Sequence, residues 1–474
     1  MNKKRKWKRQ RKNARQYNEI KAGLWYTIGN MLIKGIPFLT LPIFTRLLST
    51  ANFGIYNTYI SYESVLGIIL GFGISGTIKI AKVDFKDNFE QYISSILRFL
   101  LLVGGVSLVI ANFIGFLWVP ENSWLNPLIL NVLVLQSIST AIYGVMSCKF
   151  VIEGDYIRNL SIAFIMTGIN IGSSLLLCFI FMSSNRAEAR ILGTCIGAVF
   201  TAICILVSQS RKAGLIRNSE ANRYALKLGI PLIPHQLSIS LLSQCDKIMI
   251  QAMVGNSQAG IYGLAVNITM VISVVLSSID NAWTPNFYRL LAGEKYRELK
   301  EKNNFLVMLF MFLTCGSLLI GPDIIHIMAE QEYWDSVYAL IPLTISVFIN
   351  FMYIFSVGVE YFCKKTGYIS LTTLVCTAVN IILNYFFIIH FGYIAAAYAT
   401  CLSKLFLFVL HHVRAKKLLQ EEIVSFKCLN INLFFVCLTG VLTIVYINNI
   451  LVRYLLIGGG VVLMVSFFKI RKIY

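Results

Sequence analysis

Apolar runs of bilayer-crossing length recur along this chain from near its first residue to near its last, and they point to a polytopic all-α membrane protein. Hydrocarbon offers no partner to a backbone N–H or C=O, so each run must satisfy its own hydrogen bonds as a helix. Fourteen spans are expected, at residues 23–48, 55–80, 92–118, 126–148, 156–182, 188–209, 226–253, 259–285, 305–329, 337–361, 367–390, 393–413, 429–448 and 451–468. Composition agrees, with 57% hydrophobic and 14% charged residues. A soluble chain carries about a quarter charged residues.

Lysine and arginine set the orientation. Alternate connections, counted with both tails, hold thirty-four of them, and the opposite connections hold only Arg186, Arg190 and Arg453. That asymmetry places both ends in the cytoplasm. The net charge of +20 is therefore mainly a positive-inside signature with attraction to anionic lipid, and no nucleic-acid partner is expected. The basic start "MNKKRKWKRQRKNARQYNEIK" precedes an apolar run too long for a cleaved leader, so that run is read as a retained first helix. The eleven cysteines form no CxxC pair, and the five histidines no metal-spaced cluster, so neither disulfides nor a metal site is expected. A Walker A pattern is absent, which argues against ATP hydrolysis by this chain.

The tripeptide Gly-Ile-Tyr occurs at Gly54–Tyr56 and at Gly260–Tyr262, each time opening an even-numbered span after a short outer turn. Six spans separate the copies, as in a parallel repeat about the membrane normal. The expected organisation is a basic tail (1–22), a six-helix lobe (23–210), a cytoplasmic linker (211–225), a second six-helix lobe (226–415), another linker (416–428), and two extra spans with a tail (429–474).

Two stretches carry a resemblance to a known family: "LPIFTRLLSTANFGIYNTY" (41–59), and "LGIPLIPHQLSISLLSQCDKIMIQAMVGNSQAGIYGL" (228–264) continuing to "IDNAWTPNFYRLL" (279–291). In these the chain resembles the polysaccharide or O-antigen flippase branch of the multidrug/oligosaccharidyl-lipid/polysaccharide (MOP) exporter superfamily. Pro231, Pro234, Asp246 and Trp283 fall at the family's landmarks. The resemblance implies two six-helix lobes around a central cavity that faces each side in turn. It also implies an undecaprenyl-diphosphate-linked oligosaccharide as substrate, moved to the outer leaflet of a bacterial cytoplasmic membrane for capsule, O-antigen or a similar polymer. Glycosyltransferases and a polymerase are the implied partners.

Cations inside the spans need a physical reason. Lys34 lies roughly 16 Å along its helix. Lys404 is similarly deep, and Lys247 sits in the outer third of its span. Each costs roughly 2.5–3.5 kcal/mol to insert. A diphosphate headgroup in a wet cavity is one counter-charge, and an internal carboxylate is the other. Arg46 is a fourth candidate for the cavity, although snorkelling also explains it, as it does Lys79 and Arg98. Glu63, Asp246 and His235 are the candidates for charge pairing or for coupling to a proton or sodium ion, with no other cofactor expected. Asp280 and Glu360 are placed near the inner face and read as solvated. Gly67/Gly71, Gly168/Gly172 and Gly193/Gly197 read as close-packing pairs, and Pro37, Pro42, Pro231 and Pro234 as kinks.

The same residues bear on rival functions. A multidrug exporter of cationic compounds calls for an acidic cavity, whereas the deepest charges here are mostly lysine. A peptidoglycan-precursor flippase shares the expected chemistry. A membrane-embedded polymerase or glycosyltransferase needs catalytic groups on a substantial outer loop, and the one acidic outer connection, "AEQEYWDS" with Glu330, Glu332 and Asp335, is very short.

Overall fold

The computed structural model describes residues 35–118 and 124–473. No strand occurs among them. The helices are α1 (Gly35–Leu47), α2 (Thr50–Leu70), α3 (Ile78–Asp84), α4 (Phe89–Trp118), α5 (Pro127–Glu153), α6 (Tyr156–Leu176), α7 (Arg186–Ala213), α8 (Ser219–Gly229), α9 (Ile233–Met253), α10 (Asn256–Ala292), α11 (Tyr296–Met328), α12 (Ser336–Phe362), α13 (Thr366–Phe391), α14 (Ala395–Leu419), α15 (Phe426–Val445) and α16 (Ile450–Ile473). Eleven helical segments are long and apolar enough to cross a membrane, α2 and α3 form one further bent pair, and Gly35–Leu47 and Ile450–Ser466 are shorter apolar helices. Among the described residues these segments fall, in order, on the expected spans, the first of which (23–48) is described only from residue 35.

Local chemistry sets the breaks. Asn126 caps α5 by accepting the Ile129 N–H, with Pro127 in the first turn, and Gly154 ends the helix at φ 74°. Asp155 then caps α6 by accepting the Arg158 N–H. Gly392, at φ 81°, separates α13 from α14 within "HFGYIA".

The chain divides into two compact units, residues 35–39 with 66–233, and residues 40–65 with 234–473. The first is built on buried Ile93, Ile96, Leu97, Ile142 and Val145. One end of it is polar. Lys149, 1% exposed, donates to both oxygens of Glu90 at 2.6 and 2.7 Å. Gln209 Nε2 donates to Glu90 at 2.9 Å. The linker segment docks here: Ser94 donates to Gly214 O, Ser95 to Asn222 Oδ1, and Tyr224 to Asp84. Gly193 and Gly197 let α7 press on α6, since an added Cβ would lie 2.3 Å from Ser174 Oγ and 2.9 Å from Asn170 N. Gly168 and Gly172 do not act this way. A Cβ on either meets nothing within 4 Å, because they turn away from that contact.

The second unit centres on Phe310, Phe348, Phe351 and Phe355, with α15 and α16 packed against α11. Arg453 of α16 is buried and forms a two-pronged pair with Asp323 of α11 at 2.7 and 2.9 Å. Residues 40–65, counted with the first lobe on sequence, pack in this unit. Thr45 donates to Met328 O at 2.6 Å and Tyr333 to Leu48 O at 2.8 Å. The two Gly-Ile-Tyr copies also meet here. A Cβ on Gly54 would lie 1.8 Å from Asn256 O, and one on Gly260 would lie 2.0 Å from Thr50 O. Both helices need a residue without a side chain at the crossing.

This contrast predicts the stability of two variants. Gly260→Ala should lower unfolding free energy by at least the roughly 1–3 kcal/mol typical of overpacking. Gly168→Ala should be neutral, or stabilising by up to about 1 kcal/mol through helix propensity. Thermal unfolding of the detergent-solubilised chain checks both, and equal midpoints would contradict the assigned packing.

Candidate functional site

The polar centre of the second unit grows from α9. Pro231 lies in a single tight turn, Ile230–Leu232, and Pro234 in the first turn of α9, where a missing N–H is tolerated. Three turns further on come Cys245, Asp246 and Lys247, all buried. Asp246 is held by neutral donors from three other helices. Tyr262 Oη of α10 and Thr400 Oγ1 of α14 donate to Oδ2 at 2.7 and 2.6 Å, and Asn384 Nδ2 of α13 donates to Oδ1 at 2.7 Å. Asn380 extends the network. It accepts from Cys245 Sγ at 3.0 Å and Asn384 Nδ2 at 3.2 Å, and its own amide donates to Thr400 and Ser403 at 3.3 Å each. Asn384 Oδ1 is buried without a hydrogen-bond partner among the described residues.

A carboxylate with three donors tolerates burial, yet it still carries a negative charge in a poorly polarisable setting. Lys404 Nζ donates to Ser346 Oγ at 3.2 Å, and Lys247 has no ion pair or hydrogen bond among the described residues. Neither lysine therefore forms a contact ion pair with Asp246. Carboxylate and amide oxygens around an unfilled acceptor are the donor set of a hard monovalent or divalent cation. The two lysines on the same unit suit an anion.

The other expected residues are dispersed. Lys34 lies outside the described residues. Arg46 is exposed at the end of α1, as snorkelling predicts. Glu63 is half-buried on α2, two residues beyond Ser61, whose hydroxyl donates to Gln244 Oε1 of α9 at 3.2 Å. His235 is half-buried, with Nδ1 buried and unpartnered among the described residues. Glu360 corrects its sequence reading. It is fully buried rather than solvated, and its Oε1 lies 2.9 Å from His411 Nδ1, with Tyr353 and Tyr368 edge-on to the imidazole. Tyr262, Asn380, Asn384 and Thr400 were missed. The one signal was the i, i+4 pair of asparagines within the apolar run "CTAVNIILNYFF".

The sequence matches the family described as polysaccharide biosynthesis protein over residues 20–291. An uncharacterized membrane protein of Haemophilus influenzae is 23% identical over 370 residues, covering 76% of this chain and 88% of that protein. A probable low-salt glycan biosynthesis flippase of Haloferax volcanii is 22% identical over 393 residues, covering 81% and 80%. Among solved structures, the lipid II flippase MurJ in its inward closed conformation aligns with TM-score 0.67 at 13% identity, over 96% of this chain and 99% of that one. An inward-facing multidrug resistance MATE family transporter of the MOP superfamily aligns with TM-score 0.63 at 16% identity, over 82% and 96%. The fold is thus shared with these two transporters.

Removing a donor from a buried carboxylate costs the lost charged hydrogen bond, about 1.5–3 kcal/mol. Thr400→Val should therefore lower stability by that amount in the wild-type background and by little when Asp246 is already Leu. A double-mutant cycle on thermal unfolding measures the coupling, and additive effects would show that Thr400 does not support Asp246.

Proposed function

Because this chain belongs to the polysaccharide biosynthesis protein family, we propose that it is a flippase carrying undecaprenyl-diphosphate-linked oligosaccharide from the inner to the outer leaflet of the cytoplasmic membrane by alternating access. The observation that supports the substrate class is the pair of lysines inside the spans of the second unit, the buried Lys247 and the half-buried Lys404, neither of which forms a contact ion pair among the described residues. Lysines without a contact carboxylate favour a guest with negative charge, and a diphosphate meets that need in mid-membrane. Lysine suits a moving phosphate, since a compact ammonium on a flexible stem makes and releases contacts without a fixed bidentate geometry.

Asp246 serves the coupling step. A cation entering among Asp246, Asn380, Asn384 and Thr400 neutralises the carboxylate, removes its attraction for the two lysines, and so changes their availability to the phosphate. Linkage of this kind is reciprocal: an ion that alters headgroup affinity has its own affinity altered by the same factor. The skewed distribution of basic residues supports both termini lying inside. Glycosyltransferases and a polymerase acting on the same lipid are the partners of this reading.

Proteoliposomes holding the purified full chain and a fluorescent polyprenyl-diphosphate oligosaccharide test it. Wild type should move the lipid between leaflets, and the Lys247→Gln/Lys404→Gln variant should slow that movement by tenfold or more, from charged hydrogen bonds worth about 1.5–3 kcal/mol each. Asp246→Asn should keep the fold while abolishing dependence on whichever gradient, sodium or proton, drives the wild type. Wild-type vesicles that move no lipid-linked sugar, lipid II included, sink the flippase reading. Full activity in the double-lysine variant sinks only the assignment of the lysines.

A further inference from the structure

We propose that a groove on the first unit, between α5, α6 and α7, binds one anionic phospholipid of the cytoplasmic leaflet. The cavity measures about 410 Å³, within the range of small-molecule sites. Its walls are apolar along one length, with Ile162 and Ile165 from α6 facing Phe200 and Cys204 from α7. Its other end carries cations. Arg158 is the third residue of α6 and Lys212 the next-to-last of α7, so both line the groove where the two helices meet the cytoplasmic surface.

Charge at that mouth favours an anion. Glu90 is occupied by Lys149 and Gln209, which leaves Lys212 without an ion pair among the described residues. Arg158 lies 3.3 Å from Asp155 in an exposed i, i+3 pair, a contact worth at most about 1 kcal/mol that a phosphate can replace. The guanidinium also rests 5.6 Å over the Phe150 ring, which holds the planar fork at the groove entrance. A free phosphate would leave the apolar walls unused, and the choline of a zwitterionic lipid would meet like charge. An acyl chain along Ile162, Ile165, Phe200 and Cys204, with its phosphate between Arg158 and Lys212, satisfies both ends.

Cys204 is an exposed native reporter inside the groove, and Cys437 on α15 is an exposed thiol elsewhere. The full chain is placed in phosphatidylcholine vesicles with or without phosphatidylglycerol, free of lipid-linked sugar. Alkylation by a membrane-permeant maleimide is then read by mass spectrometry at each cysteine. Phosphatidylglycerol should slow labelling of Cys204 several-fold and leave Cys437 unchanged. Each cation removed in Arg158→Gln/Lys212→Gln should weaken the protecting lipid about fivefold, as expected for about 1 kcal/mol per basic residue at an anionic surface. Equal Cys204 rates in the two vesicles overturn the proposal, as does protection that persists in the double variant. Equal protection by inorganic phosphate in phosphatidylcholine shows an anion site without lipid and also overturns it. Unchanged Cys437 labelling certifies the variant's fold. If the double variant fails that check, Lys212→Gln alone, on an exposed helix end, carries the same comparison. Failure here leaves the transport reading untouched, since no transport is measured.

Discussion

The charge on Asp246 has to be balanced inside hydrocarbon, and the second unit is arranged around that requirement. A carboxylate transferred from water into an apolar setting without partners is untenable. Four helices converge to prevent this, with Tyr262, Asn384 and Thr400 each contributing one short donor bond. These donors are neutral, so they stabilise the anion without cancelling it. A salt bridge to a neighbouring lysine would have cancelled it and left the site inert. On the proposed coupling, holding the charge by dipoles keeps Asp246 responsive to a cation without spending Lys247 or Lys404 on a contact ion pair.

A glycine repeat makes that convergence geometrically possible. The α2–α10 crossing brings backbone to backbone at Gly54 and Gly260, closer than any side chain permits. Two residues after Gly260, Tyr262 reaches Asp246 from the same helix. At the next turn Gly263 abuts Asn57, whose side-chain Oδ1 accepts from Asn267 Nδ2 at 3.2 Å. Close approach and polar network are therefore one design: small residues admit the neighbouring helix, and the larger residue between them carries the donor. The Gly-Ile-Tyr repeat, noticed on sequence as a mark of internal duplication, is also a point where its two copies touch.

Architecture was legible before any coordinates because its determinants are one-dimensional. Span length and breakers such as Asn126-Pro127 and Gly392 act within a few residues of where they are read. The site was only half legible. Asp246, Lys247 and Lys404 stand out because charge in an apolar run is conspicuous. Asn380, Asn384 and Thr400 do not, since neutral polar residues are common in membrane helices, and their partner lies 134 or more positions earlier in the chain. Glu360 was misread for a related reason. Depth along its helix predicts solvation near the inner face, but lateral packing against α14 seals it against His411, a contact that no count along one helix reveals. Gly168 and Gly172 failed in the same way, because spacing identifies a face and not what that face meets.

The two units treat the cations inside their spans differently. In the first, Lys149 is fully engaged by Glu90, and Arg190 is bound by Ser174 and Asn170 at 2.7 and 3.1 Å. Those charges are spent on holding helices together, so the unit has no deep cation to offer a guest among the described residues. Its spare positive charge lies at helix ends, at Arg158 in the first turn of α6 and Lys212 in the last turn of α7. In the second, Arg453 is consumed by Asp323, whereas Lys404 is held by the Ser346 hydroxyl and Lys247 has no ion pair or hydrogen bond among the described residues. A cation without a contact partner inside a span calls for water or an anion beside it. On the proposed flippase reading that anion is the travelling headgroup, since a permanent counter-ion would weaken the driving force for binding it.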